Sequence, residues 1–361
     1  MARFPKPPQY AFAYGSGVFN QKGVSPSDRS ANMIDFVFAV DNPTDWHAAN
    51  LRANPTDYSF LRVLGASGVT AVQSKSGAGI YYNTLVPSNG RLIKYGVISS
   101  QALYRDLVDW NSLYVAGRLH KPSKHLLGPL NQTLATHERL ARDSALSVPQ
   151  SVDSCGLVPS SVEMLHAQHW NLLSATRAAL LTLPETFSFR DLCLAVSGLS
   201  YTGDFRMTFG ENPNKVGNIV DANLEHFVEL YATPLLVDLR DGVTLLSTRR
   251  ESGLPRWQPT TQFQQDTSPT ARQRLLQNVP RGLSEALAHV KQNAPRSLTR
   301  AAPEASGGLS IPNRSQILAG VAQIVAGTAI SQSLKGILTG GVLKASRYAL
   351  QKVGKMRSAS K

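Results

Sequence analysis

The chain has 361 residues, 42% of them hydrophobic, and a formal net charge of +13 from 37 Lys and Arg against 24 Asp and Glu. That length and apolar content exclude a disordered chain and a single small domain, and the charge excess implies an anionic partner. Two cysteines, Cys155 and Cys193, exclude a disulfide framework or a cysteine-built zinc site and point to a reducing compartment.

The N-terminal residues include Arg3 and Lys6, with no acid before Asp28. This is compatible with a mitochondrial address and equally with a free N-terminal arm. Residues 9–127 read as alternating strands and helices. Ile34-Asp35-Phe36-Val37-Phe38-Ala39-Val40 is rich in β-branched and aromatic residues and predicts a buried strand. Asp41-Asn42-Pro43 ends it as a turn, with Thr44 placed to cap the next helix. Residues 79–86 and 91–98 predict two more strands, joined by a hairpin turn at Pro87-Ser88-Asn89-Gly90. Residues 100–116 predict a helix.

The segment 128–162, rich in Gln, Ser, Thr and Pro, reads as an irregular insertion or linker. Helical patterning resumes over 162–183 and 190–199. Turn formers fill 210–215, and 218–231 predict another helix. Residues 251–312 read as a semi-ordered connector with one short helix near 282–292. No apolar run reaches the roughly 18 residues of a membrane span; the longest, Ile317–Ile330, is broken by Gln323 and Thr328.

Tyr14-Gly15-Ser16-Gly17 precedes the strand that bears Asp35. A Gly-Ser turn lets backbone N–H groups approach phosphate oxygens, and the Ser16 hydroxyl adds a donor. A carboxylate on a rigid strand nearby can hold Mg²⁺ between phosphates. Taken singly, Gly-Ser-Gly is an ordinary turn. The order is not that of a P-loop, because no Gly-Lys-Ser/Thr is present and no helical pattern starts after Gly17. Asp35 lies in an apolar strand without a local basic partner, and a buried carboxylate is costly unless it pairs or binds metal. The combination resembles the front end of a polymerase-β-like nucleotidyltransferase, in which a metal-held nucleotide is attacked at its α-phosphate.

Arg91, Lys94, Arg118 and Lys121 suit phosphate clamps, with Lys94 the candidate catalytic cation and Tyr14, Gly15, Ser16, Gly17, Arg118 and Lys121 the candidate nucleotide-binding residues. Asp204-Phe205-Arg206 and Lys215 either close the cleft from the second half or form an interdomain ion pair. Trp46, His47, Trp110 and Trp170 read as core residues, and the histidines lack metal-ligand spacing.

The last acidic residue is Glu304. From there to the end the chain carries eight basic residues, including Arg314, Lys335, Lys344, Arg347 and Lys352, and this leaves an excess of only five in the body. Ile317, Val321, Ile324 and Val325, then Ile330, Leu334, Ile337 and Leu338, mark an apolar helical stripe. An apolar stripe beside Lys335, Lys344, Arg347 and Lys352 suits an anionic bilayer surface. A helix packed on the body would show the same stripe. Gly336, Gly340 and Gly341 weaken this helix in free solution, so ordering on contact is expected.

A longer pattern runs through the whole chain: Phe12-Ala13-Tyr14-Gly15-Ser16-Gly17-Val18-Phe19, then Ile34–Asp41, Gly77–Asn83, Gly90–Ile98 and Trp110–Pro122. Gly198–Met207, Lys215–Val220 and Ser331–Thr339 continue it. In these motifs and their order the chain resembles the mitochondrial phosphatidate cytidylyltransferases, also called translocator assembly and maintenance proteins. The resemblance implies an α+β architecture. A polymerase-β-like nucleotidyltransferase domain (1–127) would precede the 128–162 insertion and a helical winged-helix-like domain (163–250). The connector (251–312) would lead to a basic amphipathic membrane-binding tail (313–361). It implies CTP and phosphatidate as substrates, Mg²⁺ as cofactor, and a peripheral place on the matrix side of the mitochondrial inner membrane. Gly15 and Ser16 would cradle the triphosphate, and Asp35 would ligate the metal.

The chain departs from the family in three places. Val37 stands where nucleotidyltransferases have a second carboxylate, so a second metal ligand would come from Asp28, Asp41 or Asp204. The 128–162 segment is longer than the usual connector, and His120 replaces a commoner Gln. Two other readings share some features. A nucleotidyltransferase acting on RNA would need a strongly basic body cleft, against which the modest body charge argues. A non-enzymatic membrane adaptor of the import machinery would use only the tail.

Overall fold

In this computed structural model, residues 2–19, 32–128, 149, 158–209, 212–246, 255–293 and 311–340 are described. The first half is built on a five-stranded sheet of order β3-β4-β2-β1-β5. Its strands are β1 (Tyr10–Tyr14), β2 (Ile34–Val40), β3 (Ile80–Ser88), β4 (Arg91–Ser99) and β5 (Lys124–Leu127). All neighbours are antiparallel except β2 and β4, which run parallel in the register Asp35↔Lys94 to Val40↔Ser99. Asp35 also stands opposite Tyr14 across β1. The first three residues of β2 are half-buried and the last four buried, so Asp35 lies at the open end of the strand.

Local chemistry sets the connections. Helix α1 (Pro43–Ala53) is capped by Asn42, whose side chain accepts from Asp45 N at 3.1 Å, with Pro43 in the first turn. Thr44, the expected cap, instead bonds Thr70 across to α2 (Gly65–Lys75). A short 3₁₀ turn, Phe60–Leu64, leads into α2. β3 runs on through Pro87 and Ser88, so Asn89 and Gly90 alone make the hairpin turn. The helix expected over 100–116 stops early: α3 spans Ser100–Asp109 and ends on Trp110 in the left-handed conformation (φ 56°). A second short helix, α4 (Ala116–Leu119), follows.

The second half is largely helical, with α5 (Ser161–Leu180) at its centre. A capping box of Ser160 and Glu163 starts α5, which buries residues on every side. Around it lie α6 (Phe189–Leu199), α7 (Arg206–Phe209), α8 (Lys215–Ala222) and α9 (Leu224–Thr233). The single helix expected over 218–231 is thus split at Asn223. A small sheet of order β6-β8-β7 joins β6 (Thr186–Ser188), β7 (Val243–Leu245) and β8 (Gln262–Gln265). β8 and helices α10 (Pro269–Gln277) and α11 (Arg281–Gln292) all fall in the stretch expected as a semi-ordered connector. Most of the 128–162 segment lies outside the described residues.

One hydrophobic core joins the halves. It takes Tyr10 and Phe12 from β1, Leu103 and Leu107 from α3, Trp170 from α5, Phe263 from β8, and Ile317, Val321 and Val325 from α12 (Arg314–Gly340). Trp46, His47, Trp110 and Trp170 are all buried, as expected of core residues. The N-terminal arm is packed rather than free. Phe4 lies 4.9 Å from Phe38 and 5.0 Å from Tyr95 between ring centroids, and Arg3 pairs with Asp57.

Candidate active site

Gly15 follows β1 in a left-handed conformation (φ 82°), and its carbonyl accepts from Val18 N and Phe19 N, both at 3.0 Å. A Cβ on Gly15 would meet Asp35 Oδ2 at 3.5 Å, so the turn lies directly against that carboxylate. Ser16 is the next residue of the turn. Gly17 sits against the backbone of Met33, where a Cβ would be 2.5 Å from the carbonyl oxygen. The parallel register supplies the basic partner that the local sequence lacks: Lys94 Nζ lies 3.3 Å from Asp35 Oδ1 and 4.4 Å from the Tyr82 ring centroid. The two side chains keep 20% and 24% exposure, so solvent and a ligand can reach both. Asp35 Oδ1 is itself buried, held by that ion pair and by no hydrogen bond.

The loop after α3 brings the next group. Asp106 is buried, and its carboxylate accepts four hydrogen bonds, from Ser112 N, Ser112 Oγ, Val115 N and Ala116 N, at 2.8–3.0 Å. This holds Leu113 at φ 52° and starts α4, from which Arg118 projects. The Arg118 guanidinium lies 3.8 Å from the Tyr114 ring centroid and 5.3 Å from that of Tyr14, and it donates to Tyr114 O. Tyr14 Oη and Tyr82 Oη are 3.4 Å apart. Burial alone would raise the Tyr114 phenol, but the charges of Arg118, Lys94 and Arg206 outweigh it and set it below the ordinary value. Those three cations therefore act on one spot.

Lys121 continues the group towards the second half. It donates to Gly117 O and, at 2.8 Å, to Ser200 Oγ, and its ammonium lies 4.9 Å from the Tyr201 ring centroid. Lys215 approaches the same ring at 5.2 Å. Burial, with Arg118 and Lys215 nearby, pushes the Lys121 ammonium well below the usual lysine range. Arg206 holds Asp204 through four hydrogen bonds of 2.6–3.1 Å, from its backbone N–H and its guanidinium. Lys94, Arg118, Lys121, Arg206 and Lys215 thus form a chain of cations around four tyrosines, with Asp35 and Asp204 as counter-charges. Such an arrangement can grip several phosphates at once.

The expected residues do not all meet. Tyr14, Gly15, Gly17, Asp35, Lys94, Arg118 and Lys121 come together as described. Asp41 does not: it follows the buried end of β2, about 20 Å along the strand from Asp35 at 3.3 Å per residue. There its carboxylate accepts from Gln9 Nε2 and Ser100 Oγ, both at 2.7 Å. Asp204 is taken up by Arg206, and Asp28 lies outside the described residues. Val37, at the family's second carboxylate position, is fully buried in the core. Among the described residues no three His, Cys, Asp or Glu side chains gather as a metal cage. Arg91 donates to Asn32 O at 3.0 Å. His120 is a core residue: Nε2 faces Asn171 Oδ1 at 2.9 Å, and burial, then Lys121, lowers it to about 3.

Lys335, expected at the bilayer, is instead buried in the body. Its ammonium donates to Gln73 O at 3.0 Å and Ser76 O at 2.6 Å, carbonyls at the C-terminal end of α2 where a helix favours positive charge. Burial lowers it to about 8. Gln332 is beside it, accepting from Ala78 N and donating to Ile80 O. Gly203 explains how closely α12 lies on the second half, since a Cβ there would be 2.7 Å from Ala322 Cα. By length and composition Arg314–Gly336 could cross a membrane, but Ile317, Val321, Val325, Ala329 and Gln332 are buried against the body. Lys344, Arg347 and Lys352 lie outside the described residues. The sequence does not single out Tyr82, Tyr114 and Tyr201; the one local signal is Arg118 four residues after Tyr114, the spacing that lets the two side chains meet.

A sequence model of the family described as mitochondrial phosphatidate cytidylyltransferase matches residues 1–150 and 156–355. Relatives carrying that name resemble the chain over nearly its whole length. The Xenopus laevis protein is 40% identical over 362 residues, covering 98% of this chain and 92% of its own. The Danio rerio protein is 39% identical over 361 residues with the same coverage. The Caenorhabditis elegans protein is 33% identical over 351 residues, 96% of this chain and 94% of its own.

Proposed function

The chain belongs to the family of mitochondrial phosphatidate cytidylyltransferases, and from that premise we propose that it transfers the cytidylyl group of CTP to phosphatidate. The products are CDP-diacylglycerol, which feeds cardiolipin synthesis, and pyrophosphate. The observation that carries this reading is the meeting of the Gly15 turn, Asp35 and Lys94 at the open end of β2.

The Gly15–Gly17 turn receives the triphosphate. Lys94 and Arg118 neutralise charge beside Asp35, while Lys121, Lys215 and Arg206 extend the positive surface for the second phosphate-bearing substrate. An arriving phosphate favours the charged form of Lys121 and offsets the burial and like charges that lower its pKa. The phosphatidate oxygen attacks the α-phosphorus in line, and the bond to the β-phosphate oxygen breaks. The nucleophile is already an anion, so no side chain need take a proton from it.

The cofactor on this reading is Mg²⁺. The Asp35 carboxylate fits it: it lies against the Gly15 turn, no hydrogen bond is made to its Oδ1 beyond the ion pair with Lys94, and Mg²⁺ is commonly held by one or two carboxylates plus substrate phosphates and water. When bound, it supplies charge neutralisation on the phosphate oxygens. The β1–β5 sheet serves as the nucleotidyltransferase domain and the α5-centred half as the winged-helix-like domain. The protein works on the matrix face of the inner membrane as a peripheral protein.

The test is Asp35→Ala in the full chain. We expect CDP-diacylglycerol formation to fall by about 10³-fold or more, with thermal unfolding little changed. Near-normal turnover in the folded variant would overturn the assignment of Asp35.

A further inference from the structure

The exposed face of α12 changes character along its length. Ala319, Gln323 and Gly327 occupy that face first, and Ile330, Leu334 and Leu338 continue it at the same helical spacing. The last three are 51–61% exposed. The change falls where α12 crosses onto the first half. There Ser59 Oγ donates to Leu338 O at 3.0 Å and so ties the 3₁₀ turn Phe60–Leu64 to the helix. That turn exposes three large apolar side chains of its own: Phe60 at 58%, Val63 at 79% and Leu64 at 53%. Only Leu61 points inward, joining Tyr58, Val69 and Tyr81. Two apolar ridges from residues 270 positions apart are therefore neighbours, a placement the core does not require.

The charge pattern identifies the occupant. Residues 58–105 and 305–361 are the two longest stretches of the chain without Asp or Glu. They meet at this surface. Arg62 is exposed within the turn, and Lys344, Arg347 and Lys352 follow α12 in sequence. A second copy of the chain would bring like charges together. An apolar ridge whose two segments carry Arg62 and no Asp or Glu, and which is followed in sequence by three further cations, matches the headgroup and upper acyl region of an anionic bilayer.

We propose that the Phe60–Leu64 turn is a second bilayer-insertion element, acting with the exposed face of α12 to seat the nucleotidyltransferase half on an anionic membrane. It deepens the reading of a lipid substrate given above. Lys335 is not part of this surface; it fastens the helix to α2.

Two measurements on the full chain test this. All four tryptophans, Trp46, Trp110, Trp170 and Trp257, are buried. Phe60→Trp therefore adds an emission that lipids brominated on their acyl chains should quench in cardiolipin-containing vesicles, whereas the wild type should show little quenching. Phe60→Ser combined with Val63→Ser and Leu64→Ser should weaken co-sedimentation with the same vesicles by about tenfold or more at unchanged melting temperature. Turnover of detergent-dispersed phosphatidate should be retained. The vesicles contain no phosphatidate, so binding is read independently of catalysis, and a chain inactive on phosphatidate but quenched at position 60 would refute the proposed reaction and not this surface. Absent quenching with vesicle-bound protein, or unchanged sedimentation of the triple variant, would overturn the proposal. So would a wild-type dimer that the triple variant abolishes while vesicle binding persists.

Discussion

Lys121 and Lys335 are both buried lysines, and they are buried in opposite ways. Lys121 has Arg118 and Lys215 for neighbours, and these like charges add to the cost of its burial. Lys335 has two carbonyl oxygens at the end of a helix, and burial alone accounts for its lowered pKa. The first setting is costly to the free protein, and on the proposed reading a bound phosphate would offset that cost. The second is satisfied within the fold. The contrast separates a cation crowded by like charges, as the proposed phosphate site requires, from a cation satisfied by packing, although composition counts them alike.

The largest effect that would break this contrast is on activity. Lys121→Met should lower kcat/KM for cytidylyl transfer by about 10²–10³-fold while thermal stability holds or rises, because an ammonium crowded by cations is removed. Loss of stability with unchanged kcat/KM would make Lys121 a packing residue like Lys335. Next comes the support of the cluster. Asp106→Asn leaves fewer acceptors for the four donors of the 112–116 loop, and unfolding free energy should fall by about 2–3 kcal/mol, with KM for nucleotide raised through Arg118. Denaturant titration alongside kinetics checks both parts.

The smallest effect is local to α12. A free lysine keeps its proton to about 10.5, whereas burial lowers folded Lys335 to about 8. Between those values the unfolded state binds more protons, so docking of α12 gains stability as pH rises; below pH 8 the penalty is constant. Hydrogen exchange of α12 amides, corrected for intrinsic rates, should show opening free energy rising from pH 8 to 10. A decrease over that range would contradict the burial of a charged Lys335.

The sequence makes the front of the site readable because it is local. The Gly-Ser turn and the apolar strand bearing Asp35 are short patterns with physical causes. The partner of Asp35 was not readable, because Lys94 reaches it only through parallel pairing of strands 59 residues apart. The small second sheet is hidden for a similar reason: its strands have three or four residues, and β6 pairs with β8, which lies far along the chain inside the stretch that reads as a connector. The tail shows where hydropathy stops discriminating. Ile317, Val321, Val325, Ile330, Leu334 and Leu338 read as one stripe, yet the first three are buried against the body and the last three face outward. Periodicity finds an apolar face; it does not say whether protein or lipid covers it.

If the cations around Asp35 handle CTP and an anionic lipid together, one reaction shows it. The direct measurement supplies the purified full chain with Mg²⁺, phosphatidate vesicles and each of the four nucleoside triphosphates in turn, and scores nucleotide-linked lipid and pyrophosphate. CTP should give CDP-diacylglycerol and pyrophosphate in equal amounts, well above the other three. Failure of all four nucleotides to yield a lipid product would contradict the account.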